Sequence, residues 1–226
     1  MLVYPDHIQG TIGGGALEWH AMTAARRMLA NNQCTTTETV PLGPTLGQCC
    51  GGSVKLRYDL NQPFKAAHGR PVWIYGAGHV GRQVAAVMTE LPDCDVTLID
   101  VAADRFPDQL PNGVTPLVAA DPALIVRHAP DATEHLIMTY SHDVDLALCH
   151  AILSRPFQSV GLIGSATKRA RFRKRLADLG HSPRTIELIT CPIGDPSLGK
   201  HPMQIAIGVA TAMITPAMAA PREIAS

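Results

Sequence analysis

The run GAGHVG at residues 76–81 constrains the fold of this chain more than any other feature. It follows VWIY, an apolar, β-branched and aromatic run typical of a buried strand, and it begins a segment with helical spacing that ends near Glu90. Asp100 ends the next apolar run, 24 residues after Gly76. A strand, a glycine turn, a helix and an acidic residue at the end of a second strand form the dinucleotide-binding pattern. The sequence therefore predicts a Rossmann fold.

Each glycine of the turn has a role in that pattern. Gly76 permits the tight turn, Gly78 lets backbone amides approach a pyrophosphate, and Gly81 lets the helix pack on the strand. Asp100 would hydrogen-bond a ribose hydroxyl and repel a 2′-phosphate, so NAD would be preferred to NADP. His79, beside these glycines, is a further candidate cofactor contact. The same glycines can serve packing alone, with the dinucleotide absent or replaced by another ligand, so the pattern leaves the cofactor open.

Strands alternate with helices over residues 70–226. Further strands are predicted at 95–100, 115–118, 135–139, 159–163 and 185–190, and helices at 79–90, 122–128, 143–153, 167–179 and 203–214. Strands that alternate with helices of about 10–15 residues form a parallel sheet with helices on both faces. We therefore expect an α/β fold for this domain, a Rossmann-like doubly wound parallel sheet.

Residues 1–66 consist of Gly-rich turns and short patterned segments, unlike the alternating strands and helices of residues 70–226. They are predicted to form a small Gly-rich α+β domain that precedes the sheet. GTIGGG at 10–15 is predicted to be a turn, since four glycines in six positions leave the backbone free to take positive φ. Apolar spacing predicts a helix at 16–30, and alternation of apolar and polar residues predicts a half-buried strand at 54–60. A polar segment then separates the two domains.

Ser141, His142 and Asp143 follow the fourth predicted strand of the sheet. Ligands of open α/β sheets bind at the carboxyl ends of the strands, so all three residues are candidate cofactor contacts. His142 adds a titratable hydrogen-bond donor at that edge. A purely structural alternative is that Ser141 or Asp143 caps the following helix.

A cluster of basic residues follows the fifth predicted strand. Six of the 19 Lys and Arg residues lie within eight positions: Lys168, Arg169, Arg171, Arg173, Lys174 and Arg175. Gly164 and Ser165 place a turn of small residues at the N-terminus of the next helix, where backbone amides and the helix dipole favour an anion. We expect these two residues, with Lys168 and Arg169, to contact a bound phosphate. The alternative is a solvated basic face.

Charge and composition exclude several classes of protein. Lys plus Arg and Asp plus Glu both number 19, so the formal net charge is zero, and only 4% of residues are aromatic. Bulk charge therefore does not attract the chain to nucleic acid or to a membrane. The first residues lack the pattern of a signal peptide, and the most apolar stretch, 205–220, is short for a membrane span and contains Pro216. The six cysteines show no C-x-x-C spacing, which favours a cytoplasmic protein with reduced thiols.

Two further candidate groups lie in the small domain. Gly13 and Gly14 of the glycine turn are candidate cofactor contacts. Cys49 and Cys50 are adjacent and are followed by two glycines, which let the backbone expose one of the thiols. A soft thiolate suits a soft metal or a sulfur-transfer step, so both cysteines are candidate metal contacts. Alternatively, both are small buried hydrophobic side chains.

Seven segments, in order over nearly the whole chain, carry a family resemblance. They are GTIGGGALE at 10–18, GQCCGGSV at 47–54, WIYGAGHVG at 73–81, TLID at 97–100, TYSHDVDLAL at 139–148, GLIGSATKRARF at 161–172 and PIGDPSLGKHPMQIAIGVA at 192–210. In these segments the chain resembles the xanthine dehydrogenase accessory proteins of the XdhC/CoxI family. Such proteins usually begin with a further helix and strand, whereas Met1 stands nine residues before Gly10. We therefore expect either an earlier start or an incomplete small domain.

The resemblance implies a maturation chaperone with no catalytic step of its own. It would bind and protect the molybdenum cofactor (Mo-molybdopterin), present it to a cysteine desulfurase for sulfuration, and deliver it to apo xanthine dehydrogenase or a related molybdenum hydroxylase. Cys49 and Cys50 then become candidate molybdenum contacts. We also expect a homodimer.

An NAD-dependent oxidoreductase is the alternative function. It would need a substrate domain that places a base or an electrophile against the nicotinamide. The Gly-rich N-terminal segment offers little for that purpose apart from Glu18 and the thiols. A dimer-forming partner of the apoenzyme that binds no ligand is a third possibility.

Overall fold

The computed structural model describes residues 1–43, 52–60, 69–91 and 93–215. The chain forms two compact units, Met1–Ala66 and Ala67–Ser226, each described by itself below. None of the described helices is both long enough and apolar enough to cross a lipid bilayer.

The described residues of the N-terminal unit form one helix and two antiparallel strand pairs. Strands β1 (Leu2–Val3) and β2 (Ile8–Gln9) form the first pair, helix α1 spans Gly15–Ala30, and strands β3 (Thr35–Pro41) and β4 (Ser53–Asp59) form the second. Exposure alternates along β3 and β4, as expected for a two-stranded sheet with one covered face. The α+β character of this domain is confirmed. Strand β3 was not predicted, because its threonine-rich run TTTETV lacks apolar alternation.

The second unit is built on a six-stranded sheet. Its strands are β5 (Arg70–Tyr75), β6 (Cys94–Asp100), β7 (Val114–Val118), β8 (Glu134–Ile137), β9 (Ser159–Leu162) and β10 (Ile189–Thr190). They lie in the order β10-β9-β8-β5-β6-β7, and every neighbouring pair is parallel. The predicted doubly wound parallel sheet is confirmed. The strand order reverses between β5 and β8, which defines the switch point where ligands of such sheets bind.

Helices cover both faces of this sheet. They are α2 (His79–Thr89), α3 (Pro122–Ile125), α4 (His142–Leu153), α5 (Ala166–Asp178), α6 (Pro183–Ile186) and α7 (Pro202–Ile214). Along β5, Val72 and Ile74 belong to one apolar cluster with residues of α2 and α7. Trp73 and Tyr75 point to the other face and belong to a second cluster with residues of α4 and α5. This alternation explains why β5 reads as a continuous apolar run.

The strand predicted at 185–190 is largely wrong. The structure has helix α6 up to Ile186, and only Ile189–Thr190 is strand. The Ser182 side chain accepts a hydrogen bond from the N–H of Thr185, and Pro183 occupies the first helical position. A capping serine followed by proline starts a helical turn in preference to a strand.

His135 is a titratable side chain in the centre of the sheet. It is fully buried on β8, its Nδ1 lies 2.9 Å from the hydroxyl oxygen of Tyr75, and its Nε2 has no hydrogen-bond partner among the described residues. Burial, with a smaller contribution from the charge of Arg155, lowers the pKa of His135 to about 3. The folded chain therefore keeps this imidazole neutral well below neutral pH.

His135→Gln is expected to reduce the acid sensitivity of the fold. As the pH falls from the ordinary pKa of 6.5 toward about 3, the unfolded chain gains a proton on His135 that the folded chain excludes. The contribution of neutral His135 to the free energy of unfolding is thus complete above pH 6.5. Below that pH it is lost progressively, at about 1.4 kcal/mol per pH unit. Glutamine does not titrate and can still hydrogen-bond Tyr75.

Urea unfolding at pH 7.5 and pH 5.5 measures this effect. The parent should lose about 1.4 kcal/mol more unfolding free energy than the variant over that interval. An equal loss in both proteins would show that His135 takes up its proton in the folded chain.

Candidate functional site

The glycine turn between β5 and α2 brings backbone segments into direct contact at the switch point. Gly76 has a φ of 110°, and its N–H donates to the carbonyl oxygen of Ile99 at 2.7 Å. A Cβ atom at Gly76 would lie 2.5 Å from the carbonyl oxygen of Met138, and one at Gly81 would lie 1.8 Å from the carbonyl oxygen of Gly76. Both separations are too short for a side chain. The fold itself therefore requires these two glycines.

Gly78 has no such packing role. Its φ is −72°, and a Cβ atom there would meet no described atom within 4 Å. Gly78 is the N-cap of α2, the helix has neither a side-chain cap nor an acidic residue in its first turn, and His79 beside it is exposed. The remaining advantage of glycine at this position is close approach of a ligand to the backbone.

Asp100 faces the turn and not the solvent. One carboxylate oxygen accepts a hydrogen bond from the N–H of Ala77 at 2.6 Å, and the other accepts one from the N–H of Val101 at 2.7 Å. Only 7% of the residue is exposed. We expected this carboxylate to hydrogen-bond a ribose hydroxyl, but both of its oxygens accept backbone N–H groups of the protein. It holds the turn in place, and the ribose contact stays a prediction.

An exposed aromatic ring lies beside the same turn. The guanidinium of Arg105 lies 4.9 Å from the centre of the Tyr140 ring, close enough for a cation–π contact. Arg105 follows β6 and Tyr140 follows β8, so the contact links loops on the two sides of β5. Arg82 holds the first loop, because its guanidinium donates to the carbonyl oxygens of Ala77 and Arg105, both at 2.6 Å. These three side chains are not among the site residues predicted from the sequence.

The three residues predicted at the start of α4 have separate roles. Ser141 caps the helix, since its hydroxyl oxygen accepts from the N–H of Val144 at 3.4 Å. His142 is exposed, with its ring edge-on to Phe172 at 6.3 Å between centres. Asp143 forms an exposed ion pair with Arg175 at 3.1 Å.

A buried ion pair lies below this edge. The ammonium of Lys168 lies 2.5 Å from one carboxylate oxygen of Asp145 and donates to the carbonyl oxygen of Ile163 at 2.9 Å. The other oxygen of Asp145 accepts from the Thr139 hydroxyl at 2.7 Å. Lys168 is 9% exposed and Asp145 is fully buried. We expected Lys168 to hold a bound phosphate, but an internal carboxylate already neutralises its charge.

The rest of the predicted anion site divides in two. Ser165 caps α5 by accepting from the N–H of Lys168 at 3.3 Å. Gly164 gives space to the lysine stem, because a Cβ atom there would lie 2.7 Å from the Cδ of Lys168. Arg169 lies in a different small hollow, with Arg173. Successive helical residues point about 100° apart, so Lys168 and Arg169 do not face the same ligand.

A cavity of about 500 Å³ lies where α5 faces the loops that follow β8 and β9. We call it the α5 cavity. Its wall includes Tyr140, His142 and Phe172 as aromatic surfaces and Lys168, Arg171 and Arg175 as basic side chains. Arg171 and Arg175 were noted in the sequence only as members of the basic cluster. Their positions three and seven residues after Lys168 place all three on one helix face, a signal present in the sequence.

The glycine turn of the N-terminal unit is closed by an acidic side chain of its own. Gly13 and Gly14 have φ values of 117° and 76°. One carboxylate oxygen of Glu18 accepts from the N–H groups of Ile12 and Gly14 at 3.0 and 3.2 Å and from the Thr11 hydroxyl. The Thr11 hydrogen bond, followed by that of Ile12, lowers the pKa of Glu18. The turn can hold an oxyanion, and Glu18 provides one.

Metal binding finds no support in the described part of the chain. No group of three or more His, Cys, Asp or Glu side chains is placed there to hold a metal ion. Cys49 and Cys50, the candidate metal contacts, lie outside the described residues.

Two protein-family models match this chain. The family model described as the XdhC Rossmann domain matches residues 72–213, and the model described as the XdhC and CoxI family matches residues 1–40. The chain belongs to the XdhC and CoxI family. The family resemblance seen in the seven sequence segments is therefore confirmed.

Three individual proteins are similar to this chain. The uncharacterized protein YqeB of Escherichia coli K12 is 26% identical over 223 residues, a match that covers 92% of this chain but only 38% of YqeB. A Bacillus halodurans structure described as a xanthine dehydrogenase superposes with a TM-score of 0.70 at 14% identity, covering 91% of this chain and 82% of that one. It supports the fold. A Rossmann-fold NAD(P)-binding family protein of Shigella flexneri gives a TM-score of only 0.42 at 14% identity. The match covers 65% of this chain and 88% of that protein.

Gly78→Ala and Gly81→Ala form a matched pair of variants. Alanine at position 81 collides with the turn, so we expect a loss of about 3 kcal/mol of unfolding free energy. Alanine at position 78 meets no described atom within 4 Å, so we expect a loss below about 1 kcal/mol, the usual cost of alanine at an N-cap. Urea unfolding of both variants measures the difference. Equal losses would show that the turn does not pack as described.

A double-mutant cycle tests the buried ion pair. Lys168→Met and Asp145→Asn each leave one charge buried without its partner, and each is expected to cost about 3–5 kcal/mol. The double variant should cost less than the sum by about 1–3 kcal/mol, because neither charge remains. Strictly additive losses in urea unfolding would mean that the two side chains do not interact.

Proposed function

We propose that this protein binds the molybdenum cofactor and assists its sulfuration and insertion into xanthine dehydrogenase or a related molybdenum hydroxylase. Membership of the XdhC and CoxI family supports a role in xanthine dehydrogenase maturation, without a catalytic step of its own. The chain spans 38% of the length of the curated relative it matches, so its partners are part of the proposal.

The α5 cavity is the observation that carries the proposal. Molybdopterin combines a pterin ring system with a phosphate. The wall of the cavity includes both aromatic side chains and arginines, and its volume of about 500 Å³ falls within the usual range for ligand pockets. It also lies at the carboxyl edge of the sheet, one strand from the switch point.

The donor set of the cavity suits the organic part of the cofactor better than the metal. Arginine guanidinium groups bind phosphate through paired N–H donors, and aromatic rings stack on planar heterocycles. When bound, the cofactor supplies the molybdenum together with its own sulfur ligands. In this proposal the described residues hold the phosphate and the ring, and a thiolate contact from Cys49 or Cys50 remains a separate prediction.

The partners follow from the same proposal. A cysteine desulfurase would supply the sulfur, and the apoenzyme of the hydroxylase would receive the cofactor. A homodimer and a cytoplasmic location remain expectations of the sequence.

An NAD-dependent oxidoreductase is supported by one observation, the open space over Gly78. The inward position of Asp100 counts against it, since both carboxylate oxygens already accept backbone hydrogen bonds and ribose recognition would have to break or share them. We therefore rank it second.

Identification of the bound small molecule distinguishes the two functions. The purified protein is incubated with cofactor released from a molybdoenzyme, passed through a desalting column, denatured and oxidised with iodine. We expect pterin fluorescence in the protein fraction, and activation of apo xanthine dehydrogenase by that fraction. Released nicotinamide with no pterin would instead favour the oxidoreductase. Bovine serum albumin carried through the same steps is the control for cofactor that adheres without specificity.

A further inference from the structure

We propose that Arg171 and Arg175 form a binding site for a phosphate monoester in the α5 cavity, and that the ion pair between Asp143 and Arg175 persists until the phosphate displaces the Asp143 carboxylate. This inference rests on the proposed function only for the identity of the heterocycle that carries the phosphate. The residues follow from how α5 distributes its charges.

Five of the six basic residues of helix α5 line one of two hollows. Lys168, Arg171 and Arg175 line the α5 cavity, whereas Arg169 and Arg173 line a different hollow. The spacing of three and four residues brings the first three onto one helix face. The helix therefore directs three of its basic side chains to the cavity and two to the other hollow.

The three cavity cations differ in what already neutralises them. Lys168 is paired with the fully buried Asp145. Arg175 is paired with Asp143, but that pair is exposed, with 47% of the Arg175 side chain and 85% of the Asp143 side chain accessible. Arg171 has no carboxylate partner among the residues that the structure describes. Among the described residues, the Arg171 guanidinium thus has no carboxylate to neutralise it, and the Arg175 guanidinium has only an exposed one.

An exposed ion pair is easily exchanged. Surface pairs contribute little to stability because water and salt screen them. A phosphate dianion offers two charges and three acceptor oxygens, which bind guanidinium groups more strongly than one carboxylate does. Arg171 and Arg175 lie one helical turn apart, so their side chains can hold one phosphate between them. Asp143 thus keeps Arg175 in place and competes with the ligand.

The aromatic part of the wall indicates what the phosphate is attached to. Tyr140 and His142 are exposed and line the cavity. Phe172 is only 4% exposed, lies edge-on to His142, and has the Lys168 ammonium 5.4 Å from its ring centre. Aromatic side chains and guanidinium groups in one cavity fit a phosphorylated planar heterocycle. A pterin phosphate and a nucleotide share that chemistry, so the phosphate is the group that the site recognises first.

Calorimetric titration with three probes tests the site: inorganic phosphate, adenosine 5′-monophosphate and 6-hydroxymethylpterin phosphate. Arg171→Gln and Arg175→Gln are expected to weaken binding of all three by about tenfold or more. Arg173→Gln is the matched control, because Arg173 lies on the same helix, is also paired with an exposed carboxylate, Glu187, and lies outside the cavity. It should leave each affinity unchanged.

Asp143→Asn gives the sharper result, since a loss of charge should increase affinity. Removing the competing carboxylate is expected to tighten phosphate binding about two- to fivefold. Glu187→Gln, which frees Arg173 in the same way, is the control and should have no effect. Equal effects of cavity and control variants, or weaker binding by Asp143→Asn, would overturn the proposal. Urea unfolding of each variant confirms that the fold is kept.

The outcome separates this site from the proposed function. If the parent retains the molybdenum cofactor and the α5 variants retain as much, the function stands and the phosphate site is wrong. If phosphate binding follows the predicted order of variants but no cofactor is retained, the site stands and the function is wrong. Tighter binding of the pterin phosphate than of the nucleotide supports both.

Discussion

The carboxylate of Asp145 is the buried group on which the carboxyl edge of the sheet depends. It binds the ammonium of Lys168 on α5 and the hydroxyl of Thr139 after β8, while the same ammonium reaches the carbonyl oxygen of Ile163 after β9. One ion pair thus fixes two loops and two helices. Movement of either loop would remove a hydrogen bond from a buried charged group, which is costly in the interior. The ion pair therefore positions the loops and the helix that form the wall of the α5 cavity.

The fold of the Rossmann unit could be predicted almost completely from the sequence, because its signals are local. Apolar runs such as Val72–Tyr75 mark buried strands, and Gly76 and Gly81 stand where backbone contacts exclude a side chain. The prediction failed near residue 185, where apolar residues suggested a strand. There the capping serine and the proline that follows it determine the local structure.

The candidate site was harder to predict, because its contacts join residues far apart in the chain. Asp145 lies 23 residues from Lys168, and no sequence pattern links them. In both glycine turns, an acidic side chain of the chain itself, Asp100 or Glu18, binds amides that the sequence assigned to a ligand. A side chain that takes the place of a ligand in this way cannot be recognised from the sequence, because the contact depends on the folded geometry. The helix phase that groups Arg171 with Lys168, in contrast, could have been read from the spacing alone.

The division of α5 into two basic surfaces also matters for handling the protein. Its sequence pI is about 7.1, so near neutral pH the molecules carry little net charge to keep them apart in concentrated solution. Arg173 and Lys174 are exposed, and neither contributes to the wall of the α5 cavity. Solubility can therefore be adjusted from the outer side of this helix while the side that faces the cavity keeps its charges.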